Sequence, residues 1–460
     1  MSAGAGGSAL AGLLLLASPA FAQTAAPPAA SPAPPDPLTP PRSILDPPPS
    51  APTGPVPGEL DAQALAQREA TQNRNRRRPR AEETEPFAPI GVEAGSFVLK
   101  PSLGVAAGFD SNPLRERHGK GSTYERISGA FDAASDWSRH SLVARIDGSY
   151  TIYNAFEHEH RPELDALVEG RIDVLKDTRI ETRLRGSIDT EDPGDPETPR
   201  GAREPIVTHS YGAEAGLVHE INRLELALRG SVDRYTYGDV LTDTGRKVEQ
   251  RRDYNLSQIR FRTGYEISPL LKPYGELSVN RRDYDFRRDS NDRIQGSQGW
   301  RALAGAAWEP TALLKTDIAA GWGEQYPDDP RRKTLSGPLL QASVTWAPTP
   351  LTTIALEATS DIDETTIDRS SGVFERSISL EIVHALRRWL ELRGEIGFER
   401  DEYEGLRRFD DTLSAALALE YRLNRELVAR LRLAHEQQWS AVRRDNYSAT
   451  IVEVGLTVRR

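Results

Sequence analysis

Residues 410–436 read DDTLSAALALEYRLNRELVARLRLAHE, and an alternation runs through them twice. Leu413, Ala415, Leu417, Leu419 and Tyr421 fall on every second residue, with Ser414, Ala416, Ala418, Glu420 and Arg422 between them. After a polar break at 423–426, Leu427, Ala429, Leu431 and Leu433 alternate with Arg430, Arg432 and Glu436. Period 2 is the signature of a strand with one apolar and one charged face. A soluble sheet hides the apolar face in a core; a membrane barrel turns it to lipid and lines its lumen with the charges. The stretch also fits a helix: it is rich in Ala, Leu, Glu and Arg, and Leu427, Leu431 and His435 sit at i, i+4.

Recurrence decides between the two. From about Ser96 onward the same alternation returns in about 18 segments by period-2 matching, many of them too rich in Thr, Gly and Tyr for helices. Leu142, Ala144, Ile146, Tyr150 and Ile152 alternate with Arg145, Asp147, Ser149 and Thr151. Ile180, Thr182, Leu184 and Ile188 alternate with Glu181, Arg183, Arg185 and Asp189. Ile259, Phe261, Thr263 and Tyr265 alternate with Arg260, Arg262 and Glu266, and Val452, Val454, Leu456 and Val458 close the chain.

The connections carry a second pattern. Short ones fall near 136–139, 176–177, 222–223, 268–270, 310–312, 348–350, 387–388 and 424–425. Long polar ones at 110–121, 155–161, 190–205, 239–251, 285–296, 323–333, 363–373, 400–409 and 437–444 alternate strictly with them. Outer-membrane barrels have short periplasmic turns and long outer loops, with an even strand number. A soluble sandwich has no reason to alternate in this way. The predicted fold is all-β: a transmembrane antiparallel up-and-down β-barrel over 96–460, with about 18 strands and 16 as the alternative. Trp308 and Trp346 precede short turns, and Trp137 and Trp389 sit within them. Tyr150, Tyr153, Phe156, Tyr235, Tyr237, Tyr284, Phe286, Trp322, Phe398, Tyr403 and Trp439 lie near the long loops, which predicts two interfacial aromatic girdles.

Composition narrows the class. The chain has 460 residues, a net charge of -10, 38% hydrophobic residues and no Cys. Its mean hydropathy is -0.54, and no stretch approaches the roughly 20 apolar residues of a membrane helix. An acidic chain argues against general nucleic-acid binding, and the lack of Cys excludes disulfides and thiolate metal sites. Residues 1–22 read as a secretory signal, with an apolar run at 10–17 and Ala20-Phe21-Ala22 as cleavage site, although no Lys or Arg precedes the run. Residues 23–95 read as a disordered, Pro-rich periplasmic linker. Residues 59–70 in it have the composition of a short helix, and Arg74, Arg76, Arg77, Arg78 and Arg80 form a basic knot.

Gly108-Phe109-Asp110-Ser111-Asn112-Pro113 closes the first predicted strand. It resembles the aromatic-Asp-Ser-Asn signature that opens the barrel in the outer-membrane β-barrel porin 2 family, and the resemblance extends from about Phe97 to the end. It implies a porin-like protein of the Gram-negative cell outer membrane, with some members linked to exopolysaccharide loci. The chain departs from a common barrel pattern by ending Val458-Arg459-Arg460 rather than in an aromatic residue.

With the charged faces turned inward, the candidate lumen-lining residues are Arg145, Asp147, Arg183, Arg185, Glu214, Arg229, Arg260, Arg262, Glu276, Arg393, Glu395, Glu420, Arg430 and Arg432. Rows of both signs would select polar solutes by charge and size, or would pair across strands and fill the interior. His158-Glu159-His160 lies in a predicted outer loop without the ligand set of a metal site. Ser379 and Ser414 cannot be matched to a His as a hydrolase requires. The expected function is a porin-like channel for polar solutes or exopolysaccharide, neither enzyme nor cofactor-dependent. Its expected partners are outer-membrane lipid, the solute, and periplasmic export components reached through the N-terminal extension. The alternatives are a non-conducting surface barrel that binds partners through its outer loops, and an outer-membrane hydrolase.

Overall fold

The computed structural model describes residues 87–460 except Ser290, Asn291, Thr366 and Asp368. The expected signal sequence, most of the expected Pro-rich linker, and the expected short helix and basic knot within it therefore lie outside the described residues. Eighteen long strands follow one another: β1 Phe97–Asp110, β2 Ser122–Ser135, β3 Ser141–Tyr153, β4 His160–Leu175, β5 Thr178–Glu191, β6 Ile206–Ile221, β7 Leu224–Tyr237, β8 Tyr254–Tyr265, β9 Leu271–Tyr284, β10 Ser297–Thr311, β11 Leu314–Pro327, β12 Leu335–Thr349, β13 Thr352–Asp363, β14 Val373–Arg387, β15 Leu390–Tyr403, β16 Arg408–Arg422, β17 Leu427–Ser440 and β18 Tyr447–Arg459. Each pairs antiparallel with the next, and β1 pairs with both β2 and β18, so the sheet closes on itself. The count is 18 rather than 16. No α-helix occurs among the described residues, only two 3-10 turns at Gln250–Arg252 and Arg443–Asp445.

Closure leaves one edge to cover. β18 meets β1 only between Ser102↔Arg459 and Asp110↔Ile451, so the first residues of β1 extend below its end. The short strand Val92–Ala94 turns at Gly95 (φ 62°) and pairs there, Val92↔Leu99 to Ala94↔Phe97. Capping a bare strand edge removes a template for mispairing. It also brings the described N-terminus out at the short-turn end.

The parity expected from residues 410–436 is what the barrel adopts. Leu431 is 48% exposed while Arg432 is 2% exposed. The same holds for Leu103, Ile127, Leu184, Leu228, Ile259, Leu277, Ile396 and Val454, all large apolar side chains turned outward. Arg126, Arg183, Arg229, Arg260, Arg282 and Glu453 are buried on the opposite face. An outer wall of this kind has no soluble partner and is matched by lipid. Polar content inside also explains the low mean hydropathy of a membrane-spanning chain.

The eight short turns stand where expected, and those at 176–177, 222–223, 312–313, 350–351 and 388–389 have two residues. The opposite end differs in part. Register continues through Asp401↔Asp410 to Tyr403↔Arg408, so the loop predicted at 400–409 is only 404–407. β11 and β17 likewise run on to Pro327 and Ser440. Strict alternation of loop length therefore fails at that end, because polar residues continue the ladder beyond the apolar band.

The aromatic girdles need the same correction. Trp137, Tyr150, Phe286, Trp308, Trp322, Trp346, Trp389, Phe398 and Trp439 are exposed outside. Tyr153, Tyr235, Tyr237 and Tyr403, expected among them, are buried inside the barrel. Their parity is that of the charged face: Tyr235 and Tyr237 continue Arg229, Ser231 and Asp233 along β7.

Candidate functional site: the barrel lumen and its inward loops

Strand alternation sets every second side chain of the barrel into the interior, and ion pairs then hold the long ones in place. Arg145 and Asp147 on β3 are half-buried, with Arg145 3.7 Å from Asp132. Arg183 lies 2.8 Å from Glu169 and 3.7 Å from Glu214. Arg185 grips Asp233 with two bonds of 2.6 Å, and Arg229 reaches Glu181 at 2.8 Å. Arg260 and Arg262 flank Glu276 at 3.7 and 3.8 Å, and Arg262 also reaches Asp317 at 3.5 Å. Arg393 meets Glu381 at 2.9 Å, and Glu420 meets Arg422 at 3.0 Å. Glu395, Arg430 and Arg432 are buried among them, and Nε and Nη1 of Arg430 have no hydrogen-bond partner. All fourteen candidates thus share the phase of the inner face, and most are held by charges of opposite sign on the same face, five of them by one another. A buried pair of this kind stabilises little by itself, but breaking one partner is costly.

The residues that sequence reasoning missed are those that close the outer mouth. Loop 111–121 folds inward, not outward. Asp110 Oδ1 accepts the Asn112 backbone N–H at 2.8 Å, and its Oδ2 accepts Arg115 Nη1 at 2.9 Å. The Asn112 amide donates to the carbonyls of Glu116 and Ser448 at 2.7 and 3.1 Å, tying the loop to β18. The Ser111 backbone N–H donates to the Thr450 carbonyl, and Ser111 Oγ accepts the Thr450 N–H. The Asp-Ser-Asn signature is therefore a clasp for this loop. It delivers Arg115, at φ 54° and 1% exposed, to within 3.8 Å of Glu436.

Loop 192–205 goes further. Arg161 binds Asp192 at 2.6 Å, and the Gly194 N–H donates to the Leu114 carbonyl. Arg252 binds Glu191 at 2.6 Å at the other margin. Beyond these anchors, Asp195, Pro196 and Glu197 share one small pocket with Glu375, Glu399, Asp401, Asp410 and Gln438, which belong to β14–β17 on the far side of the barrel. Glu197 also accepts the Thr365 hydroxyl at 2.5 Å. The loop therefore bridges the lumen. Burial among Glu191, Glu197 and Asp192 pushes the Asp195 carboxyl well above the ordinary range.

At the same end of the barrel the interior holds aromatic and apolar clusters: Tyr235, Tyr237, Tyr254 and Leu256 with Ile206 and Val240, against which Ala202 of the loop packs; Tyr124 and Tyr153 with Ala434 and Ile451; and Leu303, Leu335 and Leu339 with Ile362. Arg282 reaches across to Asp363 at 2.7 Å, spanning β9 to β13. Toward the short turns the groups are wetter; Glu220, partner of Arg179 there, is half exposed.

Other chemistry suggested by sequence finds no assembled site. Glu159 of the His158-Glu159-His160 triplet is committed to Arg161 at 2.6 Å, while His158 is exposed. No group of three metal-ligating residues converges among the described residues. Ser414 faces inward, but His435 on the next strand faces outward and contacts Thr450 Oγ1 at 2.9 Å.

Residues 85–460 match the family model described as "Putative beta-barrel porin 2". No curated protein matches the chain. Among solved structures, the ferric citrate transporter FecA aligns with TM-score 0.41 and 8% identity, over 77% of this chain and 60% of that one, so this chain spans well under its full length. The FrpB iron transporter of Neisseria meningitidis aligns with TM-score 0.40 and 9% identity, over 80% of this chain and 82% of that one. The outer membrane protein OpdK of Pseudomonas aeruginosa aligns with TM-score 0.38 and 11% identity, over 79% and 99%.

Proposed function

We propose, for a chain that belongs to the beta-barrel porin 2 family, that its barrel is a gated conduit for polar solutes across the outer membrane. The observation that carries this reading is the bridge made by loop 192–205 across a charged lumen. Eighteen strands enclose enough room for an aqueous passage. Here that room is taken up by paired side chains and inward loops, so passage requires loops 111–121 and 192–205 to swing aside. Those loops are joined to the wall by ion pairs and hydrogen bonds rather than by an apolar plug. When a loop leaves, both partners of each contact can bind water or a charged solute instead, which costs less than stripping one partner from a buried pair. The fourteen inward charges then line the opened path and grade it by charge and size. An exopolysaccharide strand is the largest cargo this reading admits. The described N-terminus leaves at the short-turn end, so the preceding segment would lie in the periplasm within reach of export components.

The test is planar-bilayer recording of the refolded chain and of a variant lacking residues 194–200. The gated conduit predicts rare, small openings in the native chain and sustained steps in the deletion. A silent bilayer in both, with the barrel spectrum intact, would favour a surface barrel that binds partners through its outer loops.

A further inference from the structure

Where the bridging loop lands, the wall carries a row of acids. Glu375 on β14 is directly opposite Asp401 on β15, and Asp401 is directly opposite Asp410 on β16. Glu399 sits two residues along β15, on the same face. Loop 192–205 sets Asp195 and Glu197 against them, so six carboxylates line one pocket of about 10 Å³. Like charges opposite one another on a sheet face destabilise it. Elsewhere in this barrel such pairs are neutralised: Glu381 faces Glu395, and Arg393 bonds to Glu381 at 2.9 Å. In the acidic row the cations are spent at the margins. Arg408 holds Asp410 at 2.6 Å and Asp445 at 2.8 Å, and Arg252 lies 3.9 Å from Glu197. Among the described residues none forms an ion pair with Glu375, Glu399 or Asp401. Asp401 is 7% exposed, and its Oδ1 has no hydrogen-bond partner; neither has Oε1 of Glu375. Packing alone gives no reason to set acceptors without partners opposite one another on β14 and β15, beside a third acid on β16, since an unsatisfied buried acceptor is costly.

We infer that this pocket binds the ammonium head of a primary-amine solute between loop 192–205 and strands β14–β16. The size fits, because the void takes one water-sized group. The donor geometry fits as well. No three acids of the described residues stand close enough to hold a metal ion, whereas an ammonium group offers three N–H donors that reach separated oxygens. Bonds from N⁺–H to carboxylate are the strong, charge-assisted kind. The bound head supplies the positive charge that the acidic row lacks, and it ties the loop to the wall. Binding needs no conduction, so the site goes beyond the channel reading and stands apart from it.

The experiment is saturation-transfer NMR on methylammonium with the full chain in detergent micelles at fixed ionic strength. Tetramethylammonium, which has the charge but no N–H donor, and calcium serve as competitors. The site predicts saturable methylammonium binding that weakens at least about tenfold in Asp401→Asn, and equally in the loop variant Glu197→Gln, which leaves the strands untouched. Tetramethylammonium and calcium should compete poorly. Far-UV spectra confirm that each variant keeps its barrel. Absence of saturable binding, binding unchanged in both variants, or displacement by calcium at lower concentration than methylammonium would each overturn the assignment.

Discussion

Arg115→Ala is the perturbation on which the account of the closed mouth turns. The Arg115 guanidinium is 1% exposed and stands between Asp110 at 2.9 Å and Glu436 at 3.8 Å, both fully buried. Removing it leaves two buried carboxylates without their cation. Breaking a buried pair by deleting one partner costs roughly 3–5 kcal/mol. Loop 111–121 can escape that cost by undocking, since it is held on the wall mainly through Asp110, Ser111 and Asn112. At about 1.4 kcal/mol per factor of ten, the docked-to-undocked ratio falls by roughly two to three orders of magnitude. Two readouts follow in liposome-reconstituted protein: trypsin cleavage at Arg117 and Lys120 accelerates, and open-channel time in bilayers lengthens. Arg203→Ala is the control, because the Arg203–Asp243 pair is more than half exposed and such pairs contribute about 0–1 kcal/mol. A folded Arg115→Ala barrel with unchanged cleavage and unchanged current would refute the reasoning that this clasp keeps the mouth shut.

Other predictions address lipid contact and pH. Leu431→Arg places a charge on the outward face and should lower unfolding stability in liposomes by about 2–4 kcal/mol if it sits near the bilayer midplane; urea titration checks this. Conductance should rise with pH. The Asp195 carboxyl, in the bridging loop, is pushed above its ordinary range when docked, so docking favours the protonated form. The docked loop is therefore most stable below the undocked carboxylate pKa and loses stability as pH rises through the docked value. Burial and the neighbouring carboxylates Glu191, Glu197 and Asp192 all push in this direction, and the Glu197 backbone N–H opposes them. Recordings between pH 5 and 8 should show opening toward pH 8, with a flatter profile in Asp195→Asn; closure toward pH 8 would contradict the sign.

Much of this barrel is legible in one chain because the side-chain period of a strand is two and the two faces meet different media. Parity in 413–433 places Leu431 and Arg432 on opposite walls before any register is known. Two-residue turns such as 222–223 announce themselves as polar breaks between alternating runs. Parity also carried a signal that position near a loop obscured: Tyr153 and Tyr235 share the phase of the charged face and so belong inside. Loop path is another matter. Arg115, Arg161 and Arg252 look in sequence like solvated loop charges, and only the partners they meet across the lumen make them clasps. The acidic row was hidden for a related reason. Asp401 read as loop, and nothing local says that a ladder will carry it into line with Glu375 and Asp410.

The outward apolar wall and the ionised interior can be tested with the chain's own lack of cysteine. Single cysteines at each position from 429 to 436, labelled with a fluorophore in liposomes containing brominated lipid, should alternate. The account predicts strong quenching at 429, 431, 433 and 435 and little at 430, 432, 434 and 436. Quenching with a period near 3.6, or with the two sets exchanged, would contradict it.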